Sequence, residues 1–120
     1  MSGRVRVIVT GMGVVAPLGG DSVEEYWNAL KAGKSGIGPM TQASIDAFPC
    51  KVAGEIKEFD PDKYINPKES RRMARFTQLP IAAAQQAIEY AGLDLSAENT
   101  ERIGILLGNG NGGFPIIQEA

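Results

Sequence analysis

The sequence predicts an α/β fold built around a parallel sheet, and three observations carry that expectation. Residues 4–10 (RVRVIVT) and 103–107 (IGILL) are nearly continuous in β-branched and aliphatic side chains, the pattern of strands covered on both faces. Each runs straight into a glycine turn, GMG after the first and GNGNGG after the second. Between them lie two stretches whose apolar residues recur at helical spacing.

After the first strand, the turn continues through Pro17, Gly19 and Gly20. Ser22 and Glu25 form an S-x-x-E capping box for a helix with apolar positions Val23, Tyr26, Trp27 and Leu30, stopped by Gly33. Trp27 is expected in the core of that helix's packing. Residues 34–49 carry Gly36, Gly38, Pro39 and Pro49 without a sustained period and are predicted to be an irregular loop. Residues 51–56 (KVAGEI) read as a short edge strand. Asn66 as N-cap and Pro67 at the first helical position open a second helix. Its apolar stripe runs through Met73, Phe76, Ala84, Ala87, Ile88 and Ala91 to a stop at Gly92. Pro80 falls inside this stripe and cannot donate a backbone hydrogen bond, so a kink or break is expected there. Ser96 is placed to cap one more short turn before the second buried strand.

Composition narrows the function classes. With 120 residues, 43% apolar and 22% charged, the chain is an ordinary globular sequence of about one domain's size. The charge-free runs 7–20 and 103–118 are too short and too rich in Gly, Asn and Pro to cross a membrane. Met1 stands only a few residues before the first apolar strand, which leaves no room for a signal peptide, and a cytoplasmic protein is expected. Cys50 is the single cysteine and there is no histidine. A disulfide scaffold and a Ser/His or Cys/His dyad are excluded on that count, and the same count argues against a thiolate or imidazole zinc site. Cys50 follows Pro49 in a loop with no histidine to activate it, and is read as structural or incidental rather than nucleophilic. The net charge of −2 does not point to nucleic acid. Two doubly covered strands with two or three helices cannot shield both faces of a parallel sheet. Residues 1–120 are therefore expected to be an incomplete part of a larger domain, the alternative being a small domain with a frayed tail.

Gly11, Gly13 and Ala16 make a G-x-G-x-x-A string directly after a strand, the outline of a dinucleotide fingerprint. In that fold the helix starts on the glycine turn so that its N-terminus meets the pyrophosphate. Here Pro17, Gly19 and Gly20 delay the helix to about Ser22, which favours a packing role in which the glycines allow close approach of a neighbour.

Lys68, Arg71, Arg72 and Arg75 are spaced i, i+3, i+4, i+7 and share one face of the predicted second helix. Residues 63–75 hold five positive charges against Glu69 alone, a segment of +4 on a chain whose remainder is −6. On composition this is either a solvated face or a surface that steers an acidic partner. The glycine string 108–113 likewise stands between a structural turn and an anion-binding nest, without the Lys and Ser of a P-loop.

Residues 7–37, VIVTGMGVVAPLGGDSVEEYWNALKAGKSGI, resemble the opening of the β-ketoacyl-(acyl carrier protein) synthases of type II fatty-acid systems. That family pairs a V-V-T-G-[ML]-G-x-[VL]-[ST]-P-[LV]-G string with a W-x-x-L-x-x-G-x-S-G-I string, and both occur here in register, with Ala16 in place of the usual serine. VAGEIKEFDPDKYINPKESRRMARFTQ and RIGILLGNGNGG are similar to the family's next two blocks.

The resemblance is to the N-terminal portion of the β-ketoacyl synthase II family. It implies the first part of a thiolase-like, αβαβα-layered fold that stops before the nucleophile, so that residues 1–120 hold no catalytic residue. It implies docking of acyl carrier protein at Lys68, Arg71 and Arg72, and nothing comparable for Arg75. It places Asn111 and Phe114 on the acyl pocket, where an apolar residue and a leucine are common. A buried Asn that finds no partner loses about 1–3 kcal/mol, so the acyl-length preference is open. For the intact enzyme the resemblance implies decarboxylative Claisen condensation on phosphopantetheine-borne substrates, no metal or other cofactor, and a homodimer. A polyketide-type ketosynthase, a non-catalytic carrier-docking module and a nucleotide-binding domain are the rival readings.

Overall fold

A computed structural model describes residues 3–42, 46, 49–110 and 112. Helix α1 spans Val23–Lys31 and begins as its sequence dictates. Ser22 is extended, and its hydroxyl accepts a hydrogen bond from the Glu25 N–H at 3.3 Å. Only half of the capping box forms, because the Ser22 N–H turns back to the Gly19 carbonyl. Glu24 and Glu25 in the first turn and Lys31 in the last complement the helix dipole. The chain leaves through Gly33 at φ 66°, a conformation glycine adopts without strain.

The packing of α1 corrects one expectation. Ala29 is its buried residue, whereas Trp27 is 58% exposed and carries the Lys31 ammonium 5.9 Å from its ring centroid. Helical periodicity located an apolar stripe, but the direction that finds a neighbour passes through Ala29.

A two-stranded antiparallel ribbon follows, β1 (Ile37–Pro39) against β2 (Val52–Gly54), with Gly38 opposite Ala53. The predicted edge strand is present. Its partner lies inside the segment expected to be an irregular loop, and Pro39 is tolerated because every strand of a two-stranded ribbon is an edge. Glu55 closes the ribbon's end. Its carboxylate accepts from the Thr41 hydroxyl at 2.7 Å, the Gln42 N–H at 2.8 Å and the Thr41 N–H at 2.9 Å. These donors hold Glu55 down at a pKa of about 2, the Thr41 hydroxyl contributing most.

The predicted second helix is two helices, α2 (Pro67–Ser70) and α3 (Arg75–Ala91). The interruption lies at residues 71–74 and not at Pro80, which stays inside α3. Ala74, with φ −62° and ψ 148°, breaks the helical backbone. In a continuous helix the Ser70 carbonyl would accept from the Ala74 N–H. Here it accepts from the Met73 N–H at 3.1 Å, a tighter i to i−3 bond, and from the side-chain amide of Gln78 at 2.7 Å, so both of its lone pairs are taken where continuation would need one. α3 ends at Gly92, in the left-handed conformation at φ 61°.

Short 3₁₀ turns at Pro61–Lys63 and Thr100–Arg102 are capped by Asp60 and Asn99. Ser96 caps neither of them. Its hydroxyl and N–H both donate to Asp94, which lowers the Asp94 pKa.

Ala29, Phe59, Ile65 and Ala82 are the buried apolar residues among those described. Phe59 and Tyr64 stack with ring centroids 6.1 Å apart. Gly11 and Gly13 lie on the backbone of α3. A Cβ at Gly11 would overlap the Ala87 carbonyl oxygen, and one at Gly13 the Ala83 carbonyl oxygen. The G-x-G string is therefore a helix-packing surface, and the space a pyrophosphate would need is filled by α3.

Residues 4–10 and 103–107 depart from the expectation of doubly covered strands. No described residue pairs with either, and Val7 and Leu106 are 89% and 97% exposed. A strand exists only with a neighbour to take its N–H and C=O groups, and the two segments form no ladder with each other here. Among the described residues, no helix is long and apolar enough to cross a membrane.

Candidate functional site

The turn between α2 and α3 gathers the basic residues. Asn66 accepts from the Lys68 N–H at 2.9 Å, and Pro67 at the first position needs no partner for its missing N–H. Ser70 ends α2 fully buried, its hydroxyl donating to Asp62 at 2.8 Å and to the Pro67 carbonyl. Arg72 and Met73 continue with tight i to i−3 backbone bonds to Glu69 and Ser70.

Lys68, Arg71 and Arg72 are exposed and have no ion-pair partner among the described residues. Lys68 lies in α2 and Arg71 and Arg72 directly after it, and the single helical face expected to run on to Arg75 is interrupted because the helix breaks between them and Arg75. The N-terminus of α3 adds to their field. Ala74 offers it no side-chain cap and its first turn holds no acidic residue, so the positive end of a 17-residue helix dipole stands uncompensated beside the two arginines.

The other two cations of the segment are committed elsewhere. Arg75 donates to the Ile56 carbonyl at 3.0 Å and the Phe59 carbonyl at 3.4 Å, with its guanidinium 4.9 Å from the Phe59 ring centroid. Lys63 pairs with Asp21 at 3.5 Å.

Asp21 belongs to a network that ties this region to the glycine turn. The Tyr64 hydroxyl donates to Asp21 Oδ2 at 2.9 Å. Gln86 Nε2 donates to the Asp21 carbonyl at 2.9 Å and to the Tyr64 hydroxyl at 3.1 Å, while Gln86 Oε1 accepts from the Val14 N–H at 2.9 Å. Burial, reinforced by the Asp21 carboxylate, pushes the Tyr64 hydroxyl above its ordinary pKa. Sequence reasoning missed Gln78, Gln86, Asp21 and Tyr64. A signal was available for the glutamines: Gln78, Ala82 and Gln86 lie at i, i+4 and i+8, so two polar side chains share the face of α3 that buries Ala82.

The glycine-rich segment meets the same region. A Cβ on Gly112 would come within 2.7 Å of the Phe76 ring, at the start of α3. Asn111 and Phe114, the expected acyl-pocket residues, lie outside the described residues. Cys50 is exposed, with its thiol 3.4 Å from the Val52 carbonyl. Among the described residues, no three His, Cys, Asp or Glu side chains group as metal ligands would.

This α/β chain, with its basic turn set beside a glycine-rich segment, matches the family model described as "Beta-ketoacyl synthase, N-terminal domain" over residues 4–119, and it belongs to that family. Its relatives include proteins named 3-oxoacyl-(acyl-carrier-protein) synthase 2. That of Synechocystis sp. is 39% identical over 97% of this chain and 28% of its own length. Those of Coxiella burnetii and Staphylococcus aureus are each 41% identical, over 95% and 100% of this chain and 27% and 29% of their own lengths. The chain thus spans less than a third of the curated relatives it matches. Among solved structures, "The ishigamide ketosynthase/chain length factor" superposes with a TM-score of 0.64 at 36% identity, over 74% of this chain and 22% of that one. The thiolase-like α/β expectation is met at the level of the family.

Proposed function

We propose that the chain is the N-terminal part of a β-ketoacyl-(acyl carrier protein) synthase II that elongates fatty acids. The observation that carries this reading is a family match spanning nearly the whole chain, with about 40% identity to relatives bearing that name. In the intact enzyme an acyl group passes from the carrier's phosphopantetheine thioester to a cysteine, releasing the carrier thiol. Malonyl-(acyl carrier protein) then loses CO₂, and the resulting enolate carbon attacks the acyl-cysteine carbonyl. The cysteine thiolate leaves as the new C–C bond is completed. The nucleophile and its histidines belong to the part of the enzyme beyond these 120 residues, and the chemistry runs without a metal or nucleotide. The enzyme works in the cytoplasm as a homodimer, with Asn111 and Phe114 bordering the acyl chain.

Within this chain, Lys68, Arg71 and Arg72 receive the acidic surface of acyl carrier protein. Three cations without an ion-pair partner among the described residues, in α2 and on the turn after it, next to an uncapped helix N-terminus, attract an anionic partner over a distance and orient it. Replacing Arg71 and Arg72 together by Glu in the intact enzyme raises KM for carrier-borne substrate about tenfold or more, and leaves a small acyl thioester almost unaffected. Equal losses on both substrates would remove the docking assignment.

A further inference from the structure

Arg71 and Arg72 have flexible side chains, so what directs them at a partner is the path of their backbone. That path is bracketed by two carbonyls, Ser70 before the pair and Met73 after it. Both accept from one group, the Nε2 of Gln78, at 2.7 and 3.4 Å. Gln78 is 8% exposed on the inner side of α3, and Ser70 beneath it is 2% exposed. The Ser70 hydroxyl continues the chain of bonds to Asp62 in the preceding 3₁₀ turn. No other side chain among the described residues bonds to the backbone of residues 70–74.

We propose that Gln78 is a positioning residue for partner docking, whose side-chain amide fixes the backbone on either side of Arg71 and Arg72 and so sets where the two arginines start. The proposal rests on the carrier-docking reading above. The amide does two things at once. By sharing the Ser70 carbonyl with the Met73 N–H it leaves that carbonyl no capacity for the Ala74 N–H, so the chain turns after the arginine pair and does not carry it on into α3. By reaching Met73 as well it fixes the width of the turn. Gln78 touches no substrate in this arrangement, and its effect passes entirely through the arginines.

The test uses the intact enzyme with Gln78→Met, which keeps length and volume and removes both donors, and Gln78→Glu, which turns the donor into an acceptor facing two carbonyls. KM and kcat are measured with carrier-borne substrate and with a small acyl thioester, alongside hydrogen exchange of amides 71–74. Loss of a hydrogen bond of this kind is expected to raise KM for the carrier-borne substrate about fivefold. The small-thioester reaction stays unchanged and exchange at 71–74 accelerates. Adding Arg71→Glu and Arg72→Glu on top of Gln78→Met gives a less than additive loss, since both act on the same contact. Wild-type KM for carrier in the Gln78 variants, or equal losses on the two substrates, overturns the positioning role. If both variants fail to fold, exchange in the wild-type enzyme decides: amides 71–74 that open no more slowly than the exposed 94–98 turn overturn it. The docking reading fails separately, if the Arg71/Arg72 double variant alone leaves carrier KM unchanged.

Discussion

Gly13→Ala tests the packing that holds the glycine turn to α3. An added Cβ would overlap the Ala83 carbonyl oxygen and lie 2.8 Å from the Gln86 Cβ. Neither neighbour is the free end of a flexible side chain, so the helix or the turn has to retreat. Forced overpacking of this kind costs about 1–3 kcal/mol. The retreat also strains the two bonds that Gln86 makes across the same gap, to the Val14 N–H and the Asp21 carbonyl, both at 2.9 Å. Losing one adds about 0.5–1.5 kcal/mol, for a total of about 1.5–4.5 kcal/mol. Urea denaturation of the intact enzyme measures it, with Gly38→Ala as the control. A Cβ at Gly38 meets nothing within 4 Å, and that variant should stay within about 0.5 kcal/mol of wild type. Gly13→Ala falling in the same narrow range would refute the close-approach argument and reopen the glycine string to a ligand.

Two further predictions concern protonation, beside those for the arginines and Gln78. Glu55 has a depressed folded pKa, so the stability it contributes is complete above its ordinary value of 4.5 and fades as pH falls toward about 2. Glu55→Gln should flatten that acid limb in thermal melts, and an unchanged limb would remove Glu55 as its source. Tyr64 behaves in the opposite sense. Its raised pKa means that its contribution is complete below 10.0 and is lost as pH climbs through the folded value. Tyr64→Phe should lower stability at neutral pH by about 0.5–1.5 kcal/mol and abolish the alkaline loss, measured by denaturant titration at several pH values.

Much of this was legible in the sequence wherever the cause is local. Ser22, Asn66, Gly33 and Gly92 mark their helix ends because caps and left-handed residues act within a few positions along the chain. The delay from Gly13 to Ser22 was enough to argue against a dinucleotide turn, and the overlap with α3 supplies the physical reason. The basic segment was visible as a run of charges. Its division into three exposed cations, one clamped arginine and one paired lysine was not, since it depends on carbonyls at Ile56 and Phe59 and a carboxylate at Asp21.

The α/β class and family membership follow from the order of residues alone, because strand composition, glycine turns and four motif blocks are properties of the string. Only the tertiary structure decided where the long helix breaks. Pro80 is the local breaker, yet it costs one backbone bond and stays inside α3, whereas the break falls at Ala74, where Gln78 from the next helix and the Met73 N–H together occupy the Ser70 carbonyl. It also decided that residues 4–10 and 103–107, apolar enough for buried strands, pair with no described residue here. Apolar composition gives a segment the tendency to be covered, and a neighbouring strand in space is what turns that tendency into a sheet.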